Sequence, residues 1–213
     1  HQDFLRQKYN LSNLELHELR IEDLSSLDRT FDHVISTGVL HHLECPLRGL
    51  EAISMVMADE APLSLMLYGK SLRNGLYMIQ EAFRSLVLRQ TEEDIDFAKS
   101  VLNRAVPKNH PVNRYIERAK DIKTLPGFVD TFFHPQDVAY YVKELITLIE
   151  SAGLGFEQWL IPWNYSHHAF FQDNDQLLKK MDLLSSTESA HVCDLIHGGL
   201  GTHRLLVRKK SAL

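Results

Sequence analysis

The residues best suited to chemistry lie together in "STGVLHHLECP", residues 36–46, where His41 and His42 follow an apolar run and Cys45 comes three residues later. Histidine and cysteine in one short stretch raise the question of a metal. Adjacent residues on a strand point to opposite faces, so His41 and His42 could share an ion only if the strand has already ended. Zinc sites need three or four ligands, commonly in pairs two to five residues apart. His42 and Cys45 have that spacing, but no second pair accompanies them, and no metal is expected there. A nucleophile with its base fares no better, because G-x-S-x-G is absent and Cys45 before Pro46 has no recognisable catalytic context. His167 and His168, after "NYS", could border a pocket, but twelve histidines make adjacent pairs common by chance. The glycine cluster "GGLG" (198–201) leads into a strand-like run, whereas a phosphate loop must lead from a strand into a helix. It reads as a tight turn.

Gly38 remains, since a residue without Cβ lets a ligand approach the backbone. Glu22 or Asp23 could accept hydrogen bonds from an amine or a hydroxyl. The alternatives are a packing glycine and acids that cap a helix. Which holds depends on the elements that position these residues.

"LELHELR" (14–20) alternates Leu14, Leu16 and Leu19 with polar residues, which predicts a short strand. "IEDLSSLDRT" reads as a polar turn or a single helical turn, and "FDHVISTGVL" as a buried strand that stops near Gly38. Pro46 can open a helix whose inner face is Leu47, Leu50, Ile53 and Met57. "LSLMLYG" follows as a strand closed by Gly69. This order argues for parallel βαβ units in an α/β sheet, where ligands bind beyond the carboxyl ends of the strands. Segments 72–89, 91–105 and 111–120 then read as helices, with Thr91 and Asp94 as a capping pair and Pro111 opening the third. The alternating plan returns with a helix carrying Val142, Leu145, Ile146 and Ile149 inward and ending at Gly153. A strand stopped by Pro162, a helical stretch at 175–197 and a last strand from His203 to Val207 complete the chain.

With 44% hydrophobic and 24% charged residues over 213 positions, the composition is that of a globular protein with a sizeable core. A net charge of -5 without a dense Lys/Arg run gives no reason to expect nucleic acid. Two unpaired cysteines suit a reducing, cytoplasmic setting. No run is long and apolar enough to predict a membrane span. The opening "HQDFLRQKYNLSN" looks like the last turns of a helix already under way, so residues upstream of His1 are expected.

Taken together, "ELRIEDL", "FDHVISTGVLHHLECPLRGLEAISMVM" and "LSLMLYGK" resemble the later part of a class I S-adenosylmethionine-dependent methyltransferase. The stretches "YMIQEAFRSL", "DTFFHPQDVAYYVKEL" and "AGLGFEQW" resemble a bacterial subgroup of that family with a helical insertion. The resemblance covers nearly the whole chain and is strongest from residue 14 to residue 80. It implies a Rossmann-like sheet, mostly parallel with one antiparallel strand (His203–Val207), without the family's first strands. It divides the chain into a partial core at 1–71, a helical insertion or lid at 72–127, and the remaining core at 128–213. Ile21, Glu22 and Asp23 match the segment beside the cofactor's adenine, and Thr37, Gly38 and Val39 the segment beneath the cofactor. His41 and His42 then fall at the pocket's edge, and Tyr68 faces the acceptor.

The family's first strand, glycine-rich loop and ribose-binding acid all precede the element where this sequence begins. Arg20 also stands where many members carry an acid. A truncated coding sequence is therefore expected, with S-adenosylmethionine bound weakly or not at all by this chain alone. In a full-length parent the expected reaction is methyl transfer to a small molecule or a protein. His42 is the candidate base, since an imidazole pKa of about 6.5 suits the role; simple closure of the pocket by packing is the alternative. A non-catalytic interaction module on the same sheet is the competing function, and an NAD-dependent oxidoreductase is disfavoured by "VLHHL". An open sheet edge and exposed apolar surface would favour self-association.

Overall fold

The computed structural model describes residues 2–210. A helix α1 (Gln2–Lys8) leads through an irregular stretch to a single-turn helix at Ile21–Leu27. Strand β1 (Val34–Thr37), helix α2 (Pro46–Val56) and strand β2 (Leu63–Gly69) then form a parallel β-α-β unit, with Val34 opposite Leu63 and Thr37 opposite Met66. Helices α3 (Lys70–Ser85), α4 (Glu92–Arg104), α5 (Val112–Arg118) and α6 (Leu125–Phe133) follow. The chain returns through the short strand β3 (Ala139–Tyr140), helix α7 (Val142–Ser151) and strand β4 (Leu154–Trp159). Helices α8 (His167–Phe170), α9 (Asp175–Met181) and α10 (Ser186–His197) precede the last strand, β5 (Thr202–Lys209).

The sheet order is β1-β2-β5-β4, with β3 paired in parallel to the end of β2. Strand β5 runs antiparallel to both β2 and β4, so it is the one reversed strand the sequence implied. Alternation in "LSLMLYG" decides which face of β2 is buried. Leu63, Leu65 and Leu67 point into the core with Leu205 and Val207 of β5. Leu50 and Ile53 of α2 and Leu145 and Ile149 of α7 cover them. Each such side chain contributes about 1.5–3 kcal/mol relative to exposure. Gly153, with φ +73°, ends α7 as its sequence position suggests.

The middle helices build a second core from Leu72, Leu76, Phe83, Ile95, Phe128 and Phe132, with Val112 and Tyr115 of α5. Gly75 allows α3 and α5 to cross closely, since a Cβ there would lie 2.2 Å from the Val112 nitrogen. At the start of α4 the Thr91 hydroxyl accepts a hydrogen bond from the Asp94 amide.

Two expectations need correction. Residues 14–20 form no strand; Leu14, Leu16 and Leu19 are exposed and the segment has no ladder partner among the described residues. Alternation specifies a strand only when a neighbour supplies the hydrogen bonds. The segment expected as a buried strand is an edge strand: of Val34–Thr37 only Ser36 is buried, and Ile35 is 69% exposed. Both cysteines are free thiols. None of the described helices is long and apolar enough to cross a membrane.

Candidate active site

The carboxyl ends of β1 and β2 lie side by side, and the chain leaves β1 through Gly38. Gly38 has φ +75°, a conformation that costs a side-chain-bearing residue about 1 kcal/mol or more. A Cβ there would meet only the Met66 Cε, at 3.6 Å. The glycine is thus demanded by the backbone turn rather than by crowding from the protein, and Thr37 and Val39 on either side are exposed. The turn delivers Leu40, His41 and His42 as a short helix, with Leu40 anchored in the core. Ile21 packs against α2 near Gly49, where the Leu40 and Leu43 side chains also meet. Glu22 lines a groove along α2 with Arg20, Cys45 and Arg48, whereas Asp23 is exposed. Thr37, Gly38 and Val39 do not line that groove, so the six residues expected at the cofactor form a ledge and a separate flank.

His41, His42 and Tyr68 do come together. His41 is fully buried and its ring stacks on Tyr68, with centroids 3.5 Å apart and planes at 21°. The Arg73 guanidinium covers the Tyr68 ring at 3.7 Å, so the phenol is held between an imidazole and a cation. Burial, reinforced by the positive potential of His42 and Arg73, pushes the His41 pKa down to about 3. Its ring is therefore neutral near pH 7, and neither ring nitrogen has a hydrogen-bond partner among the described residues. Burial raises the Tyr68 pKa against the opposing pull of Arg73.

Arg73 forms an ion pair with Asp137 in which both side chains are almost wholly buried, and it donates to the Tyr115 hydroxyl at 3.3 Å. Burial opposes the charge on Arg73, but the Asp137 carboxylate outweighs it and the guanidinium pKa is raised. An open cavity of about 480 Å3 adjoins this cluster, lined by Tyr68, Arg73, Tyr115, Arg118, Asp121 and Thr202 among others. It lies between the end of β2, helix α5 and the turn before β5, where Arg118 donates to the Gly199 carbonyl at 2.8 Å.

His42 sits beside His134, with ring centroids 4.2 Å apart, and meets the edge of Tyr68 at 5.6 Å. Its Nδ1 lies 3.1 Å from the Gln136 carbonyl oxygen. A carbonyl only accepts, so Nδ1 carries the proton and Nε2 the lone pair in the neutral ring. Gln136 in turn donates from Nε2 to the Leu43 carbonyl at 2.9 Å, and the Val138 amide donates to the His41 carbonyl at 2.9 Å. Residues 134–138 thus brace the His41–His42 turn. Sequence reasoning missed Arg73, Tyr115, His134, Gln136 and Asp137. The usable signal was an arginine on the apolar face of α3, between Leu72 and Leu76, and the polar cluster "HPQD" after an aromatic run.

Residues 2–64 match the family described as a methyltransferase domain. Over 190 residues the chain is 27% identical to an uncharacterized protein of Synechococcus, syc1184_c, covering 86% of this chain and 45% of that protein. Its fold is similar to that of PKMT2 from Rickettsia typhi, with a TM-score of 0.76 and 13% identity over 98% of this chain and 41% of the other. The same protein in complex with AdoHcy gives a TM-score of 0.75 and 15% identity, covering 98% and 42%. The chain therefore spans less than half the length of the relatives it matches. Its strand order and single reversed strand give this chain a Rossmann-like fold similar to that of PKMT2, and residues 2–64 within it match the methyltransferase-domain family.

Proposed function

We propose that this chain belongs to an enzyme that transfers a methyl group from S-adenosylmethionine to an acceptor held beside Tyr68. The observation that carries the reading is the junction of two features at the carboxyl ends of β1 and β2. The Gly38 turn leaves an open ledge at Thr37–Val39, and the His41–Tyr68–Arg73 stack begins directly beyond it. The PKMT2 structure with AdoHcy, the demethylated form of that cofactor, supports the same cofactor here.

The residues fit such a ligand. The space a Gly38 Cβ would enter is nearly free of protein. Asp137 offsets the Arg73 charge, so a sulfonium nearby is not strongly repelled. Thr37, Gly38 and Val39 would hold the cofactor from below, with Ile21, Glu22 and Asp23 toward its adenine. When bound, the cofactor supplies an electrophilic methyl group on a good leaving group, so positioning can provide much of the acceleration. Tyr68, fixed on both faces, orients the acceptor. His42, with its proton on Nδ1 and its lone pair on Nε2, takes a proton from an acceptor that must lose one. Packing against His134 is the competing role for His42.

Calorimetric titration with S-adenosylhomocysteine tests the reading. The protein in its natural full length should bind one equivalent, and Gly38→Val should weaken binding at least about tenfold by straining the turn. Absence of binding by the full-length protein would sink the proposal. A His42→Ala variant that kept its turnover across the pH range would remove the base.

A non-catalytic interaction module is the second reading, favoured by Arg20 at a position where an acid is common. Transfer of labelled methyl from S-adenosylmethionine to any acceptor in a lysate decides between the two.

A further inference from the structure

Far along the chain from the methyltransferase-like site, α8 presents His167 and His168 to Asp182, the residue that follows α9. We propose that these three side chains form a binding site for one divalent transition-metal cation, zinc being the best match to two imidazoles and a carboxylate.

His167 Nε2 lies 2.9 Å and His168 Nε2 3.0 Å from the same carboxylate oxygen, Asp182 Oδ1. The three ligand atoms all lie within 4.8 Å of one another. A tetrahedral ion with bonds of about 2.0–2.1 Å places its ligand atoms roughly 3.3 Å apart. The two histidine–carboxylate distances therefore need to open by only a few tenths of an ångström, and the two imidazole nitrogens, within 4.8 Å of each other, need to settle at the same spacing. Adjacent histidines cannot converge on a strand, but these two sit on a helical turn, and their ring centroids are only 4.3 Å apart. The turn itself is secured by Ser166, whose hydroxyl accepts from the Ala169 amide.

A fourth residue orients the first ligand. His167 Nδ1 is 2.8 Å from the Ser189 hydroxyl on α10, and Ser189 is buried. A metal at Nε2 requires the proton on Nδ1, and a hydroxyl can accept from that N–H. Without metal the same hydroxyl can donate to Nδ1 while Nε2–H bonds to Asp182. The Ser189 contact thus persists in both states, with only the tautomer of His167 exchanged. Such a partner behind a ligating histidine fixes its tautomer and ring plane. His168 and Asp182 are half exposed, which leaves room for water or another ligand at the remaining coordination position. The metal would clip α8 to the end of α9, closing a loop between His167 and Asp182, with α10 attached through Ser189.

Zinc titration of the whole chain by calorimetry, with chelator-stripped protein, tests the site. One equivalent should bind with micromolar affinity or better, and the melting temperature should rise with added zinc. His168→Ala and Asp182→Asn, both at half-exposed side chains, should abolish that equivalent while leaving the metal-free melting temperature close to that of the parent. Ser189→Ala should weaken it about tenfold. His42→Ala should leave zinc binding intact, which separates this site from the histidines near Tyr68. No stoichiometric binding, or binding that survives both His168→Ala and Asp182→Asn, overturns the proposal.

Discussion

His41 gives the sharpest test of how the candidate active site is built. The ring is fully buried against Tyr68, and its pKa falls from an ordinary value of 6.5 to about 3. On unfolding the imidazole regains its ordinary affinity for protons. The unfolded chain therefore takes up the proton first as the pH drops, and folding stability is lost from about pH 6.5 down toward pH 3. At pH 5 the loss from this group alone is about 2 kcal/mol. His203 contributes in the same direction, because burial also lowers its pKa. Replacing His41 isolates its share. In urea denaturation at pH 7, 6 and 5, wild type should lose about 2 kcal/mol more between pH 7 and pH 5 than His41→Phe or His41→Leu. Two replacements of different shape guard against a steric accident. At pH 7 both should be close to wild type, because the ring nitrogens they remove have no partner among the described residues. Equal acid losses in wild type and both variants would refute the buried, neutral ring.

Asp137→Ala should destabilise the chain by about 3–5 kcal/mol, measured by the same denaturation, because it strands the buried Arg73 charge. The double variant Arg73→Met/Asp137→Ala should recover much of that loss. Gly38→Ala should cost about 1 kcal/mol through its left-handed turn alone, read from the shift in denaturation midpoint. The open edge of β1, with Ile35 exposed on it, should support concentration-dependent self-association, and Ile35→Lys should suppress it in sedimentation velocity. A monomer at all concentrations would exclude that role for the edge.

What could be read in the sequence was whatever depends on local period. The apolar run "LSLMLYG" specified a strand closed by Gly69, and the spacing of Leu47, Leu50 and Ile53 specified a helix beside it. The Thr91 cap and the Gly153 terminus were visible because capping chemistry acts within a few residues. "VLHHL" could be placed at the carboxyl end of β1 because strand, glycine and turn are contiguous.

Tertiary structure decided everything that needs a partner distant in sequence. Leu14 and Leu16 alternate as in a strand, yet with Leu19 they stay exposed where no neighbour among the described residues offers a ladder. The neutrality of His41 comes first from burial that no local pattern encodes, and then from the charges of His42 and of Arg73, 32 residues on. Arg73 and Asp137 are separated by 64 residues and meet only because α3 and the chain after α6 converge on one strand end. Likewise, His167 and His168 look like a chance pair until Asp182 and Ser189 are folded against them. Periodicity is a property of one segment and survives in the sequence. The protonation, pairing and coordination of a side chain belong to the space around it, which only folding creates.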